Sequence, residues 1–126
     1  MIDHVSISVR NLDEAAQFYE GVLATIGYRK LQVRPHTVGF GKSYSEFWIN
    51  LRSAMAPIAT AECGAHIALR ARSREAVDAF HAAALAAGAA CDGAPGPRQE
   101  YSAGYYAAFI RDRDGNRIEA VTFLRA

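Results

Sequence analysis

The sequence contains two copies of one supersecondary unit, and this repeat limits the architecture more than any other feature. Residues 3–27, DHVSISVRNLDEAAQFYEGVLATIG, align without a gap with residues 65–89, AHIALRARSREAVDAFHAAALAAGA. Each copy reads as an alternating strand, a polar helix cap, an apolar helix face and a terminal glycine. His4 aligns with His66, so each copy carries a histidine at the start of its strand. A duplication of this length predicts two similar modules.

The segments that follow each copy read as further strands, so the chain predicts two β-α-β-β-β modules in an α+β fold. The predicted single domain, 1–126, divides into a first module at about 1–52, a linker at about 53–62 and a second module at about 63–126. The predicted strands are 2–9, 28–33, 37–41 and 46–51, then 64–71, 89–91, 105–111 and 116–123, with a glycine- and proline-rich loop at 92–101. We expect a helix on the outer face of each sheet, with the polar inner faces curving into an open cup.

Composition excludes several classes of partner. The 126 residues, of which 51% are hydrophobic, suit one compact domain with an apolar core. A formal net charge of +1 gives no electrostatic basis for binding nucleic acid or an anionic membrane surface. No apolar run approaches the roughly 20 residues of a membrane-spanning helix, and the N-terminus does not read as a signal peptide. We therefore expect a cytoplasmic protein whose partner is a small molecule.

Two histidines and one late carboxylate are the candidate metal ligands. If a pseudo-twofold axis relates the modules, His4 and His66 meet across it. Glu119 lies between Ile118 and Ala120 in NRIEAV, and a carboxylate on such an apolar strand must be solvated, paired or bound to a cation. Two imidazoles and a carboxylate suit Fe(II), and also Zn, Ni or Mn. The sequence predicts one divalent ion at these three residues; an ordinary hydrogen-bonded or surface role is the alternative for each histidine.

Aromatic and basic residues are candidates for lining the cup. By strand alternation, at least one of Tyr105 and Tyr106 faces inward, where its hydroxyl would either hydrogen-bond an oxygen at the metal or act as a weak acid. Core packing is the alternative role for these side chains. The predicted catalytic residues are Glu119, Tyr105 and Tyr106. The predicted substrate-binding residues are Trp48, Phe40, His36, Tyr101 and Arg98.

Four segments, DHVSISV and NLDEAAQFYEGVLATIGY, then AHIALRA and YYAAFIRDRDGNRIEAV, resemble the vicinal oxygen chelate superfamily of glyoxalases, bleomycin-resistance proteins and ring-cleaving dioxygenases. The segment DRDGNRIE is similar to the family ending D-P-D-G-N-x-x-E, with Arg113 where proline is usual. The resemblance covers essentially the whole chain. It implies paired βαβββ modules, a homodimer, and a divalent metal held by His4, His66 and Glu119 that chelates adjacent oxygens of the substrate.

One departure from the family leaves the reaction open. The resemblance to glyoxalase I implies a fourth ligand on the strand EFWINL, where Trp48 or Ile49, depending on register, occupies the position, and neither side chain binds a metal. The predicted function is a metal-dependent lyase or isomerase of the glyoxalase type. A metal-free drug-sequestering protein and a ring-cleaving dioxygenase are the alternatives.

Overall fold

A computed structural model describes residues 1–125 and confirms two βαβββ modules. The elements in chain order are β1 (Val5–Val9), α1 (Leu12–Ala24), β2 (Arg29–Arg34), β3 (Thr37–Gly41), β4 (Phe47–Leu51), β5 (Ile67–Arg70), α2 (Arg74–Ala86), β6 (Ala90–Pro97), β7 (Tyr105–Arg111) and β8 (Arg117–Phe123). No helix in this part of the chain is long and apolar enough to cross a membrane.

The two modules build two sheets of the same topology. Sheet A has the strand order β1-β4-β3-β2, and sheet B has the order β5-β8-β7-β6. In each sheet the first strand of the module pairs in parallel with the last, and the other pairs are antiparallel. The repeat seen in the sequence is therefore a repeat of topology.

Each helix begins after a polar cap residue, as the repeat predicts. The Asn11 side chain accepts a hydrogen bond of 3.1 Å from the backbone N–H of Glu14, and Ser73 Oγ accepts one of 3.1 Å from Ala76. These bonds satisfy backbone donors that have no partner within the first helical turn. Just after α1, Gly27 has φ 86°, a conformation that favours glycine and turns the chain into β2.

The helices lie between the two sheets and not on the outside of a cup. Helix α1 packs on sheet A, helix α2 packs on sheet B, and the two helices contact each other. One core results, since side chains such as Leu23 of α1 and Phe80 of α2 belong to the same buried cluster. Merging two apolar helix faces buries more area than two separate half-cores would. The other face of each sheet, which we call its open face, is turned away from the centre of the chain.

The turn between β7 and β8 holds the modules together. The Arg10 Nε donates to Asp114 Oδ1 at 2.7 Å, and Tyr19 donates its hydroxyl to Asp112 Oδ2 at 2.6 Å. The Asn116 Nδ2 donates to the backbone carbonyl of Ser8, 108 residues earlier, at 2.9 Å. The segment DRDGN therefore fixes the second module to the start of the first helix.

Strand β6 is longer than the sequence predicts. The residues from Asp92 to Pro97 were expected in a loop, but they continue the strand, and its register shifts at Gly93 and Gly96. Glycine and proline are tolerated here because β6 is an edge strand, where bulges interrupt the pairing.

Candidate functional site

Glu119 is a buried carboxylate on the open face of sheet B. Its neighbours Ile118 and Ala120 belong to the core beside α2, so strand alternation turns Glu119 to the opposite side. It pairs across the sheet with Ala68 of β5 and Phe109 of β7. Although this face has no helix over it, Glu119 is only 1% exposed. A buried carboxylate requires hydrogen bonds or a cation.

Two side chains approach the Glu119 carboxylate, one at each oxygen. The His66 Nε2 lies 3.1 Å from Oε1, and the Tyr105 hydroxyl donates a short hydrogen bond to Oε2. The His66 side chain is 48% exposed, whereas that of Glu119 is 2% exposed. The pair therefore joins a buried acid to an imidazole that solvent reaches.

Tyr105 acts as a hydrogen-bond donor in this arrangement. Burial raises the pKa of Tyr105 to about 12, and the hydrogen bond to Glu119 contributes in the same direction. The hydroxyl therefore stays protonated at neutral pH and orients the carboxylate.

The His66–Glu119 pair has the spacing of two ligands of one metal ion. Two ligands at right angles, with bonds of about 2.1 Å, lie about 3 Å apart, and the two donor atoms here are separated by 3.1 Å. The hydrogen bond from Tyr105 to the other oxygen is typical of the groups that orient metal-binding carboxylates. The residues present on this face fit a divalent ion that takes further ligands from elsewhere.

Within one chain, His4 does not complete this site, which corrects the prediction that the three residues meet there. The His4 Nδ1 lies 2.7 Å from Asp3 Oδ1, and its side chain is 54% exposed. It borders a cleft of about 530 Å³ on the open face of sheet A, lined only by residues 3–50. In residues 1–125, no group of three or more histidines, cysteines and acids has the geometry of a metal site. The physical reason is the central position of the helices, which turns the two open faces to different sides.

The strand register identifies the counterpart of Glu119 in the first module. The pairing of β1 with β4 begins at Phe47 and that of β5 with β8 begins at Ile118, so the next residues, Trp48 and Glu119, are equivalent. Trp48, and not Ile49, therefore occupies the position of a fourth ligand. Its ring faces the cleft beside His4, with the guanidinium carbon of Arg34 5.3 Å from the ring centre.

Two of the predicted cup residues are in the core. Phe40 is fully buried, and its ring packs near Tyr19 of α1 at 6.5 Å between centroids. Tyr106 faces α2 and donates its hydroxyl to Asp78 at 2.7 Å. The predictions that Phe40 binds substrate and that Tyr106 is catalytic are therefore wrong for these positions. Strand alternation places the Tyr105 side chain on the open face of sheet B.

The remaining predicted residues lie near the open faces or at their edges. Tyr101 is 60% exposed, and its ring packs edge-on against Tyr105 at 5.2 Å. The Arg98 guanidinium lies 5.4 Å from the centre of the Phe109 ring. His36 is exposed in the turn between β2 and β3. Their roles in binding substrate stay predictions.

Sequence reasoning missed Phe109, Arg111 and Arg117, which lie near the His66–Glu119 pair. The Phe109 ring lies 6.3 Å from that of His66. Arg111 and Arg117 form a cross-strand pair on the same face. Each lies two residues along its strand from the Phe109–Glu119 pair. Strand alternation through Glu119 would have found Arg117, because residues 117, 119 and 121 share a face.

A larger cleft of about 710 Å³ lies elsewhere, between the start of α1 and the β7–β8 turn. Its acidic side chains are already used in the contact between modules, as in Arg10–Asp114 and Tyr19–Asp112. Burial raises the pKa of Asp112 even though Tyr19 and Asn116 donate hydrogen bonds to it. We assign this cleft a structural role, and His66 and Glu119 remain the candidate site.

Comparison with known proteins agrees with this fold. A sequence model of the Glyoxalase/Bleomycin resistance protein/Dioxygenase superfamily matches residues 1–120, and the chain belongs to that superfamily. A glyoxalase/bleomycin resistance protein from Albidiferax ferrireducens T118 is 30% identical, with a TM-score of 0.80, over 94% of this chain and 95% of that one.

More distant structures share the fold. A glyoxalase/bleomycin resistance protein/dioxygenase family enzyme from Burkholderia phytofirmans PsJN is 22% identical, with a TM-score of 0.70 and 98% coverage of both chains. The fosfomycin resistance protein FosX from Mesorhizobium loti is 18% identical, with a TM-score of 0.69, over 98% of this chain and 92% of that one. No curated protein matches the sequence significantly.

Proposed function

We propose that the protein is a metal-dependent enzyme of the glyoxalase type, a lyase or isomerase acting on a small oxygenated molecule. The observation that carries the proposal is the His66–Glu119 pair, with its donor atoms 3.1 Å apart and a carboxylate that is almost completely buried. Membership in the superfamily supports the same chemistry.

A second copy of the chain completes the site in this proposal. The open face of sheet A carries His4 and Trp48, and the open face of sheet B carries His66 and Glu119. These faces do not meet within one chain, so a cup requires sheet A of one copy to face sheet B of another. A twofold dimer makes two such cups, because each copy offers both faces once.

The ligands of each ion would then be His66 and Glu119 of one copy and His4 of the other. A divalent ion bound there would supply Lewis-acid stabilisation of negative charge on substrate oxygens. His66 and Glu119 hold two positions, and Tyr105 fixes the orientation of the carboxylate. Trp48 of the second copy presents an aromatic face to the substrate. Because it supplies no metal ligand, the ion would have three protein ligands.

A site with three protein ligands instead of four lacks one group that could act as a base. Trp48 has no group that accepts a proton, so the first module supplies no base at the position equivalent to Glu119. Tyr105, whose pKa is raised to about 12, keeps its proton and does not act as a base. Proton transfer, where the reaction requires it, would therefore rely on Glu119 or on the substrate itself.

Metal content of the purified protein tests the proposal. The wild type should hold about one divalent ion per chain, and His66→Ala and His4→Ala should each lose it, since removing a ligand lowers metal affinity at least about 10–100-fold. His36→Ala is the matched control, because it removes an exposed histidine in a turn. Metal retained by both ligand variants would contradict the proposal. Activity on methylglyoxal with glutathione, and on catechols, then separates a lyase from a ring-cleaving dioxygenase.

A metal-free ligand-binding protein is the second candidate, and one observation favours it. The Glu119 carboxylate has two partners within the chain, His66 and Tyr105. An aromatic drug would then bind against Trp48, the one tryptophan in the chain. Quenching of tryptophan fluorescence by such a drug in EDTA-treated protein, with no metal in the purified wild type, would support this candidate over the enzyme.

A further inference from the structure

A second group of charged side chains lies on the open face of sheet B, next to the His66–Glu119 pair. Arg111 of β7 and Arg117 of β8 are cross-strand partners. They follow the same alternation as Phe109 and Glu119, so their side chains share the face of the carboxylate. Arg117 is two residues from Glu119, a separation of about 6.8 Å along a strand.

Neither arginine has a fully satisfied guanidinium group. The Nε atoms of Arg111 and Arg117 are buried, and neither has a hydrogen-bond partner among residues 1–125. Asp92, in β6, approaches both: its Oδ1 is 3.4 Å from Arg111 Nε, and its Oδ2 is 3.5 Å from Arg117 Nε. Charge-assisted hydrogen bonds are shorter, at about 2.7–2.9 Å. Buried donors are nearly always paired in folded proteins, so these two require an explanation.

Positive charge exceeds negative charge in this group of side chains. Arg111 and Arg117 share the Asp92 carboxylate, and Glu119 supplies a second carboxylate on this face. A third guanidinium, that of Arg98, lies over the Phe109 ring on the same face. With three guanidinium groups against two carboxylates, this group of side chains carries a net positive charge. A local excess of this kind attracts anions to the site.

We propose that Arg111 and Arg117 form a subsite for an anionic oxygen group of the substrate, a carboxylate or a phosphoryl group. Planar guanidinium groups match such anions through paired N–H donors. The Asp92 carboxylate is itself an anionic oxygen group. It orients both arginines and competes with an anionic ligand for them. The role of this subsite in catalysis rests on the proposed function, whereas anion binding itself needs no metal.

The proposal defines a class of substrate. The anionic group would bind about two residues along β8 from Glu119, with the reacting oxygens beside His66 and Glu119. Phe109, between His66 and Arg98, would contact the part of the molecule that joins the two ends.

Isothermal titration calorimetry on the EDTA-treated full chain tests this, with inorganic phosphate and acetate as probes at constant ionic strength. Arg117→Gln should weaken binding of the preferred probe about tenfold, because a hydrogen bond to a charged group is lost. Asp92→Asn should tighten it about tenfold, because the competing carboxylate becomes neutral. Arg72→Gln, which removes an exposed arginine before α2, is the control and should change binding less than about twofold.

The preferred probe assigns the anion: phosphate indicates a phosphoryl group and acetate a carboxylate. The proposal is overturned if wild type binds neither probe, if the Asp92→Asn and Arg117→Gln variants bind like wild type, or if Arg72→Gln loses as much as Arg117→Gln. Circular dichroism checks folding. If Arg117→Gln does not fold, Arg111→Lys keeps the charge, loses the Nε donor and should still weaken binding. Because the protein is metal-free in this assay, its result is independent of whether His66 and Glu119 bind a metal.

Discussion

Replacing Glu119 with glutamine should leave the metal-free protein folded while abolishing its stabilisation by metal. Glutamine has nearly the shape of glutamate and retains an oxygen that accepts the hydrogen bond from the Tyr105 hydroxyl. It loses the negative charge that a divalent cation requires. The variant therefore separates the structural role of this position from its role as a ligand.

The expected size of the effect follows from the surroundings of Glu119. Burying an ionised carboxylate costs several kcal/mol, and the side chain is 2% exposed. The contacts with Tyr105 and His66 offset this cost by about 1–3 kcal/mol each. We therefore expect the free energy of unfolding of the metal-free variant to lie within about 2 kcal/mol of wild type.

Metal addition should reveal the difference. At a free ion concentration about 100 times the Kd, binding stabilises a folded protein by about 2.7 kcal/mol, which for a chain of this size corresponds to about 10 °C in Tm. The assay is thermal unfolding with EDTA and with added Zn, Ni, Mn or Fe(II). Wild type and the exposed-site control Glu100→Gln should show the shift, and Glu119→Gln should lose most of it. The same metal-dependent shift in Glu119→Gln would refute its role as a ligand.

Three further predictions address orientation, packing and pH. Tyr105→Phe removes the hydroxyl that orients Glu119 and should weaken metal binding about tenfold in a competition with a chelator. Gly41→Ala would place its Cβ on the backbone carbonyl oxygen of Tyr44, and should lower the free energy of unfolding in urea by more than about 2 kcal/mol. Burial lowers the pKa of His81, so the folded state favours the neutral imidazole, and this contribution to stability is lost as the pH falls below the unfolded pKa of about 6.5. His81→Gln should reduce that loss between about pH 7 and pH 5 in urea unfolding.

The sequence predicts much of the local structure because its signals are local. Asn11 and Ser73 are helix caps in the sequence and in the structure. The strands Thr37–Gly41 and Tyr105–Arg111 have the predicted bounds. Strand β6 was underestimated because its glycines and prolines, which read as a loop, lie at bulges on an edge strand.

The packing of the modules depends on contacts that no local pattern encodes. The repeat shows that His4 and His66 occupy equivalent positions, but equivalence does not make them neighbours. The two apolar helix faces were assigned to separate sheets, and in the structure they pack on each other. His81 is buried and its Nε2 lies 3.2 Å from Cys91 Sγ, a contact that depends on β6 running beside α2.

The site could be predicted in part. Glu119 stood out as a carboxylate in an apolar strand, and its proximity to His66 follows from the parallel pairing of β5 with β8. The choice between Trp48 and Ile49 needed the register of β1 with β4. Strand alternation places Arg117 on the face of Glu119, but only the buried Nε atoms seen in the structure distinguish Arg111 and Arg117 from other strand arginines.

A mixed dimer tests most directly whether two copies build the metal site. His4→Ala and Glu119→Gln are co-expressed with different affinity tags, and the dimer that carries both tags is purified and analysed for metal. One of its two cups combines an intact His4 with an intact His66–Glu119 pair, so it should hold about one ion per dimer, whereas each variant alone should hold almost none. A mixed dimer without metal, next to a metal-loaded wild type, would contradict a site shared between chains.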